Sequence, residues 1–211
     1  MVKRSAKEES WNVATHAFGA ILALGGLVWI CVLSQGNWLG ARSVACIVYG
    51  ALLVLMYLMS TLSHVFRSDP NQARFRSCDQ AFIFLLIVGT YTPFSVSFWD
   101  TGAANGLLVA MWSIAIAGFV AKIFFAHRVN RVSVIGYVVL GWMPVLGLPF
   151  HDYWPVEAMW WVFGGGVVYS LGTLFLISDQ KAQWCHPVWH LSVVAASAIH
   201  FAAVMKFVVH G

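Results

Sequence analysis

Residues 186–209 read HPVWHLSVVAASAIHFAAVMKFVV, and in this stretch Lys206 is the only Asp, Glu, Lys or Arg. A helix needs about 20 predominantly apolar residues to cross a hydrocarbon core about 30 Å thick. The stretch is therefore read as a membrane-spanning helix. Its imidazoles are not spread evenly: His186 and His190 stand four residues apart at its start. Ionisable groups are expensive in lipid, so such groups inside a span are read first as a functional site.

The rest of the chain has the same character. It is 60% hydrophobic and 9% charged, with a mean hydropathy of +0.78; soluble domains carry about 25% charged residues. Comparable runs lie at about 12–34, 42–66, 79–99, 103–125, 132–150, 156–177 and 186–209. The connectors between them, such as QGNW, RSDPNQARFR, WDTG and SDQKAQ, are short and polar or turn-rich. The fold class is thus an all-α membrane protein with seven transmembrane helices in a single domain, 1–211, and no room for a soluble domain. Runs this long are helices, because barrel strands need only about 10 residues.

Orientation follows from Lys and Arg. Lys3, Arg4, Lys7, Arg67, Arg74, Arg76, Lys122, Arg128, Arg131 and Lys181 fall on one side, and only Arg42 and Lys206 on the other. The N-terminus is therefore expected in the cytoplasm and the C-terminus outside. The basic residues sit at scattered loop ends, so the net charge of +4 is no nucleic-acid signal. Cys31, Cys46, Cys78 and Cys185 show neither CxxC spacing nor a disulfide framework. The basic start MVKRSAKEES leads into a full-length span, so no cleaved signal peptide is expected.

In this topology His64 closes span two, Asp79 opens span three, and His186 and His190 open span seven. All four fall at one depth, near the cytoplasmic side. At i, i+4 the two histidines of span seven share a helix face about 6 Å apart, a spacing that lets two imidazoles hold one metal. His64 would add a third nitrogen. Three protein ligands and one open position is the arrangement of catalytic zinc. Asp79 would then hold the metal's water and act as general base. Ser60, one turn before His64, would orient a ligand or hold a substrate carbonyl. The structural reading is that each histidine bonds a backbone carbonyl or reaches the headgroups; the common depth of all four groups weighs against it.

Other polar residues are read as structure. Glu9, Asn12 and His16 step at helical spacing into span one, as a cap, a substrate mouth or support for the site. His200 lies about 15 Å along the axis from His190, too far for the same metal, and is assigned an interhelical bond. Lys206 is expected to snorkel at the outer end. Cys78 and Cys185 point about 100° from Asp79 and His186 and are read as packing. His127 and His151 are read as solvated. Pro93 is expected to kink or end span three. Gly164, Gly165, Gly166 and Gly172 are expected to permit close helix approach, and Trp11, Trp38, Trp99, Trp154 and Trp184 to form an aromatic belt.

Several motifs occur in order on these spans: Glu9-x-x-Asn12-x-x-Thr15-His16, Ser60-x-x-x-His64, Asp79 leading to GTYTPF at 89–94, GGVVYSLG at 165–172, and His186-Pro-Val-Trp-His190 with His200-Phe201 beyond. In these the chain resembles the hemolysin III family, bacterial relatives of the progestin and adipoQ receptors, over nearly its whole length. The resemblance implies a seven-helix fold in a bacterial inner membrane, with the N-terminus in the cytoplasm. It implies zinc on His64, His186 and His190, with Asp79 contacting the zinc-bound water. The wider superfamily includes alkaline ceramidases, which hydrolyse a lipid amide. Receptor members carry longer soluble N-terminal regions, and their absence here weighs against a ligand receptor.

The leading expectation is a zinc-dependent membrane hydrolase acting on a lipid amide or ester, with a membrane lipid as substrate and a role in lipid homeostasis. One alternative is a seven-helix sensor or receptor in which zinc only staples helices two and seven. Another is a membrane-lysing protein of the hemolysin type. A transporter fits less well, because the ionisable groups cluster at one depth instead of lining a path.

Overall fold

The computed structural model describes residues 5–66, 70–98, 102–125, 130–150, 154–179 and 182–210. Among them the chain is helical throughout: α1 (Ala6–Leu33), α2 (Ala41–Val65), α3 (Pro70–Phe98), α4 (Gly102–Phe125), α5 (Asn130–Trp142), α6 (Val156–Ile177) and α7 (Cys185–Val204). A 3-10 segment, Met143–Phe150, prolongs α5, and a π-helical turn, Met205–Val209, prolongs α7. Six of the seven helices are long and apolar enough to cross a membrane. The fifth is shorter, with an apolar stretch over Ser133–Gly147. Pro144 accounts for its early end, because it has no N–H to donate and its ring disfavours α conformation at the residue before it.

Two helices begin earlier than their apolar runs. Ser5 caps α1, its hydroxyl accepting from the Glu8 N–H at 3.2 Å, so Glu9, Asn12 and His16 lie well inside the helix. α3 starts at Pro70, so the second half of the expected RSDPNQARFR connector is helix and Asp79 lies nine residues inside it. Proline is favoured in the first helical turn, and Gln, Ala and Arg are good helix formers. Hydropathy marks the lipid-facing length of a helix, not its ends. α3 also runs on through Pro93 to Phe98.

α2, α3 and α7 bury the largest share of their apolar stretches inside the protein, and α4 and α6 the smallest. α2 packs between α1 and α3, and α7 returns beside α1 with α6 on its flank. Apart from Glu8 in its first turn, the buried residues of α1 are Glu9, Asn12, His16, Gly19, Ala23, Gly26 and Ile30, alternately three and four apart. Spacing of that kind keeps one stripe of a helix against its neighbours. Here the buried stripe is polar at one end, while Ile21, Leu22 and Trp29 point outward. Water-soluble helices show the reverse, because lipid solvates apolar side chains and leaves polar ones to find partners inside.

Helix approach relies on small residues. A Cβ on Gly165 would stand 2.2 Å from His200 Nε2, and one on Gly172 would stand 2.7 Å from Ser192 Cβ, so these two glycines seat α6 on α7. Gly164 and Gly166 face open space instead. His200 makes the interhelical contact expected of it, its Nε2 lying 3.0 Å from the Val162 carbonyl.

Three surface expectations change. Trp154 is buried against Tyr91, Phe94 and Phe98 of α3, not placed in a belt, while Trp11, Trp38 and Trp184 are exposed. Lys206 does not simply snorkel: it pairs with Glu157 at the start of α6 and lies near the Phe207 ring. Lys122, counted with the cytoplasmic charges, is fully buried and donates to Gln80 Oε1 at 2.7 Å, since an ammonium at the edge of lipid is costly without a partner. His127, His151 and Trp99 lie outside the described residues.

Candidate metal centre

The C-terminal end of α2 and the N-terminal end of α7 bring three imidazoles together. On α2 the period of the helix stacks Ser60 and His64 on one buried face. On α7 it stacks His186 and His190, which follow the short turn after α6. The ring centres lie 4.6 Å apart for His186 and His190, 4.9 Å for His64 and His190, and 5.2 Å for His64 and His186. One nitrogen from each falls within 4.8 Å of the other two, and this is the only such group of metal-binding type among the described residues.

The geometry fits a metal ion. His64 Nε2 and His186 Nε2 are 3.4 Å apart. Two imidazole nitrogens on one tetrahedral zinc, each about 2.05 Å from it, stand about 3.3 Å apart. The outer nitrogens have other partners. His64 Nδ1 lies 2.6 Å from Glu9 Oε2, and His186 Nδ1 lies 3.6 Å from Asp179 Oδ2. His190 Nδ1 lies 3.3 Å from the Asn12 carbonyl and 3.4 Å from the Thr15 hydroxyl. A carbonyl or carboxylate accepts, so the contacts of His64 with Glu9 and of His190 with the Asn12 carbonyl place the proton of those two rings on Nδ1 and leave Nε2 with its lone pair. The facing Nε2 atoms of His64 and His186 repel unless a proton or a cation lies between them.

α1 encloses this group. The His16 ring lies flat on that of His190, with centres 3.6 Å apart and planes 23° apart, and its edge meets Tyr57. Glu9, Asn12 and His16, whose helical spacing was legible, therefore surround the histidines; which group each would meet was not legible. Asp179 and Thr15 were not foreseen. Asp179 is seven residues before His186, and the end of α6 lies close enough to the start of α7 to bring it to that ring.

Asp79 and Ser60 face the same space. Both line a cavity of about 1660 Å³ that also takes in His64, His186 and His190. The Asp79 carboxyl lies beside the Ser60 hydroxyl, with Arg76 one turn away, although Ser60 Oγ forms no hydrogen bond of ordinary geometry among the described residues. Gln80, next along α3, receives Lys122 through its side chain and the Tyr137 hydroxyl through its carbonyl, both at 2.7 Å. These bonds fix the α3 turn that carries Asp79 against α4 and α5. No cysteine joins the cluster: Cys78 and Cys185 are free thiols.

From the histidines the cavity runs between α3, α5, α6 and α7 to Trp154 and Trp160 at the start of α6. Its walls are mainly apolar, with Ile87, Met159, Phe163 and Val193 among them. α5 and α6 meet sparsely along it, joined by the Trp142 indole N–H donating to Ser170 Oγ at 3.0 Å.

The chain is similar to known proteins along almost all of its length. It is 34% identical to Hemolysin-3 of Bacillus cereus over 203 residues, 96% of this chain and 92% of that one. It is 33% identical to the Hemolysin-3 homolog of Bacillus subtilis, over 96% and 95% of the two chains. The human monocyte to macrophage differentiation factor is 26% identical over 97% of this chain and 86% of its own. The family model described as haemolysin-III related matches residues 4–201. A multi-pass membrane protein by its helices, the chain belongs to the haemolysin-III-related family.

Proposed function

We propose that this protein is a zinc-dependent hydrolase of the bacterial inner membrane, acting on the amide or ester bond of a membrane lipid. The observation that carries the reading is the three-imidazole cluster opening onto a long, largely apolar cavity. A soluble substrate has no need of such walls, whereas acyl chains do.

The proposed topology has seven spans, with the N-terminus in the cytoplasm. α5 and its 3-10 extension complete the set: 13 and 8 residues rise about 20 Å and 16 Å, enough for a core about 30 Å thick. The Lys and Arg asymmetry supports a histidine end at the cytoplasmic face. A lipid headgroup would lie there, with its chains in the cavity.

His64, His186 and His190 would hold a zinc ion, which would supply Lewis-acid activation of the substrate carbonyl and of water. Asp79 takes the proton of the attacking water and returns it to the leaving nitrogen or oxygen. Ser60, beside Asp79, donates to the substrate carbonyl or holds the carboxylate in place. The apolar walls exclude bulk water and align the scissile bond. The test is to purify the protein, count its zinc, and assay ceramide-like amides and lipid esters with and without His186→Ala. Wild-type protein that holds no zinc sinks this reading.

The name of the Bacillus cereus relative, Hemolysin-3, supports a second reading, a membrane-lysing protein. It predicts dye leakage from liposomes at low protein density, unaffected by replacing the histidines.

A further inference from the structure

We propose that Glu9 of α1 is the positioning carboxylate of the metal centre: by accepting the Nδ1–H of His64 it fixes that ring's tautomer and turns Nε2 toward the metal. This rests on the metal-centre reading above and adds a residue from a third helix to it.

Glu9 Oε2 lies 2.6 Å from His64 Nδ1, the shortest of the contacts to the outer nitrogens of the three histidines. Both residues are buried, with Glu9 only 7% and His64 2% exposed. The same Oε2 receives the Asn12 side-chain amide at 3.4 Å, which aims the carboxylate across to α2. Helix capping does not account for it. The capping acceptor is Ser5, whose hydroxyl takes the Glu8 N–H, while the Glu9 side chain faces inward to His64. A buried carboxylate in an apolar helix is retained only where a partner compensates its desolvation. Carboxylates on the far nitrogen of metal-bound histidines orient the ring and raise its basicity, and their loss typically weakens metal binding by 10- to 100-fold. Asp179, at 3.6 Å from His186, is beyond hydrogen-bond distance and is not assigned that role.

The test uses the full chain in detergent, with zinc affinity read by competition against a chelator of known strength. The visible spectrum of the cobalt-loaded protein serves as a second readout. E9Q keeps the shape and loses the charge; E9A loses both. The expected result is zinc affinity lower by about 10-fold in E9Q and about 100-fold in E9A, a changed cobalt spectrum, and metal-free melting of E9Q close to wild type. Should E9A fail to fold, E9Q carries the measurement. Wild-type zinc affinity in E9Q, with or without lower metal-free stability, makes Glu9 a strut between α1 and α2 and overturns the inference while leaving the metal centre intact. Wild-type protein that binds no zinc overturns the metal centre itself, and this inference with it.

Discussion

The imidazole of His16 lies face to face with that of His190, ring centres 3.6 Å apart, although 174 residues separate them. The stack presses a side chain from α1 against the candidate metal ligand of α7 and holds its ring plane. His16→Phe keeps a flat ring in that place. It is expected to retain zinc and melt close to wild type. His16→Ala leaves a hole beneath His190 and is expected to cost about 2–4 kcal/mol, by the measure of large-to-small changes in packed interiors. Parallel thermal melts and zinc counts check both; loss of zinc in His16→Phe would mean that its nitrogens, not its face, matter.

Removing any one of His64, His186 or His190 by alanine is expected to abolish stoichiometric zinc. Because the three rings join α2 to α7, zinc also stabilises the fold by linkage, by about 4 kcal/mol when its free concentration is a thousand times its Kd. A strong chelator should therefore lower the melting temperature of wild type, and added zinc should restore it. The alanine variants should not respond to either. A chelator-insensitive wild type argues against a bound metal.

Asp79→Asn separates catalysis from a structural staple. Asp79 lines the cavity but is not one of the grouped metal donors. The substitution is expected to keep zinc and lower lipid hydrolysis by about a hundredfold or more, the usual loss when a general base is removed. If zinc only staples α2 to α7, Asp79→Asn keeps whatever function the wild type shows. Zinc content and turnover, measured on one preparation, distinguish the two.

Much of this was legible in the chain because lipid imposes a simple code. Apolar runs of span length gave the helices, and polar residues at 3.6 spacing marked the faces turned inward. His186 and His190 declared their pairing by an i, i+4 step, and His64 joined them through depth alone. Closure of the bundle was not legible. Whether Glu9 meets His64 depends on how α1 packs on α2, and whether His16 meets His190 on α7 returning beside α1; no local pattern encodes either. By hydropathy Asp79 opens its helix, because charge lowers hydropathy without breaking a helix; α3 in fact starts at Pro70. Trp154 resembled an interfacial anchor, but Tyr91, Phe94 and Phe98 on one face of α3 take it inside.

Gly172 and Gly165 both seat α6 on α7, but what each meets differs. A Cβ at Gly172 meets Ser192 Cβ at 2.7 Å, an atom tied to its own backbone that no rotamer change can move. At Gly165 it meets the ring of His200, which a χ rotation can withdraw at the expense of the bond to Val162. Gly172→Ala is expected to destabilise by about 1–3 kcal/mol, as overpacking does. Gly165→Ala combined with His200→Ala is expected to be less destabilised than the sum of the two single changes. Melting of the three variants and the double variant checks the pair; strict additivity would show that the clash relaxes elsewhere.

Gly166 offers the most direct test of the cavity. It lines the cavity at the middle of α6, and a Cβ there meets nothing within 4 Å. A larger side chain can therefore enter the cavity without disturbing helix packing. Gly166→Leu is expected to fold and melt as wild type or slightly above, since glycine inside a helix costs about 1 kcal/mol relative to good helix formers. It should keep full zinc, because no histidine contacts it. If acyl chains occupy the cavity, turnover of long-chain lipid amides or esters should fall at least tenfold, while short-chain analogues are spared. Equal losses for short and long chains would place the substrate elsewhere, and no loss at all would show that the apolar walls have no part in binding.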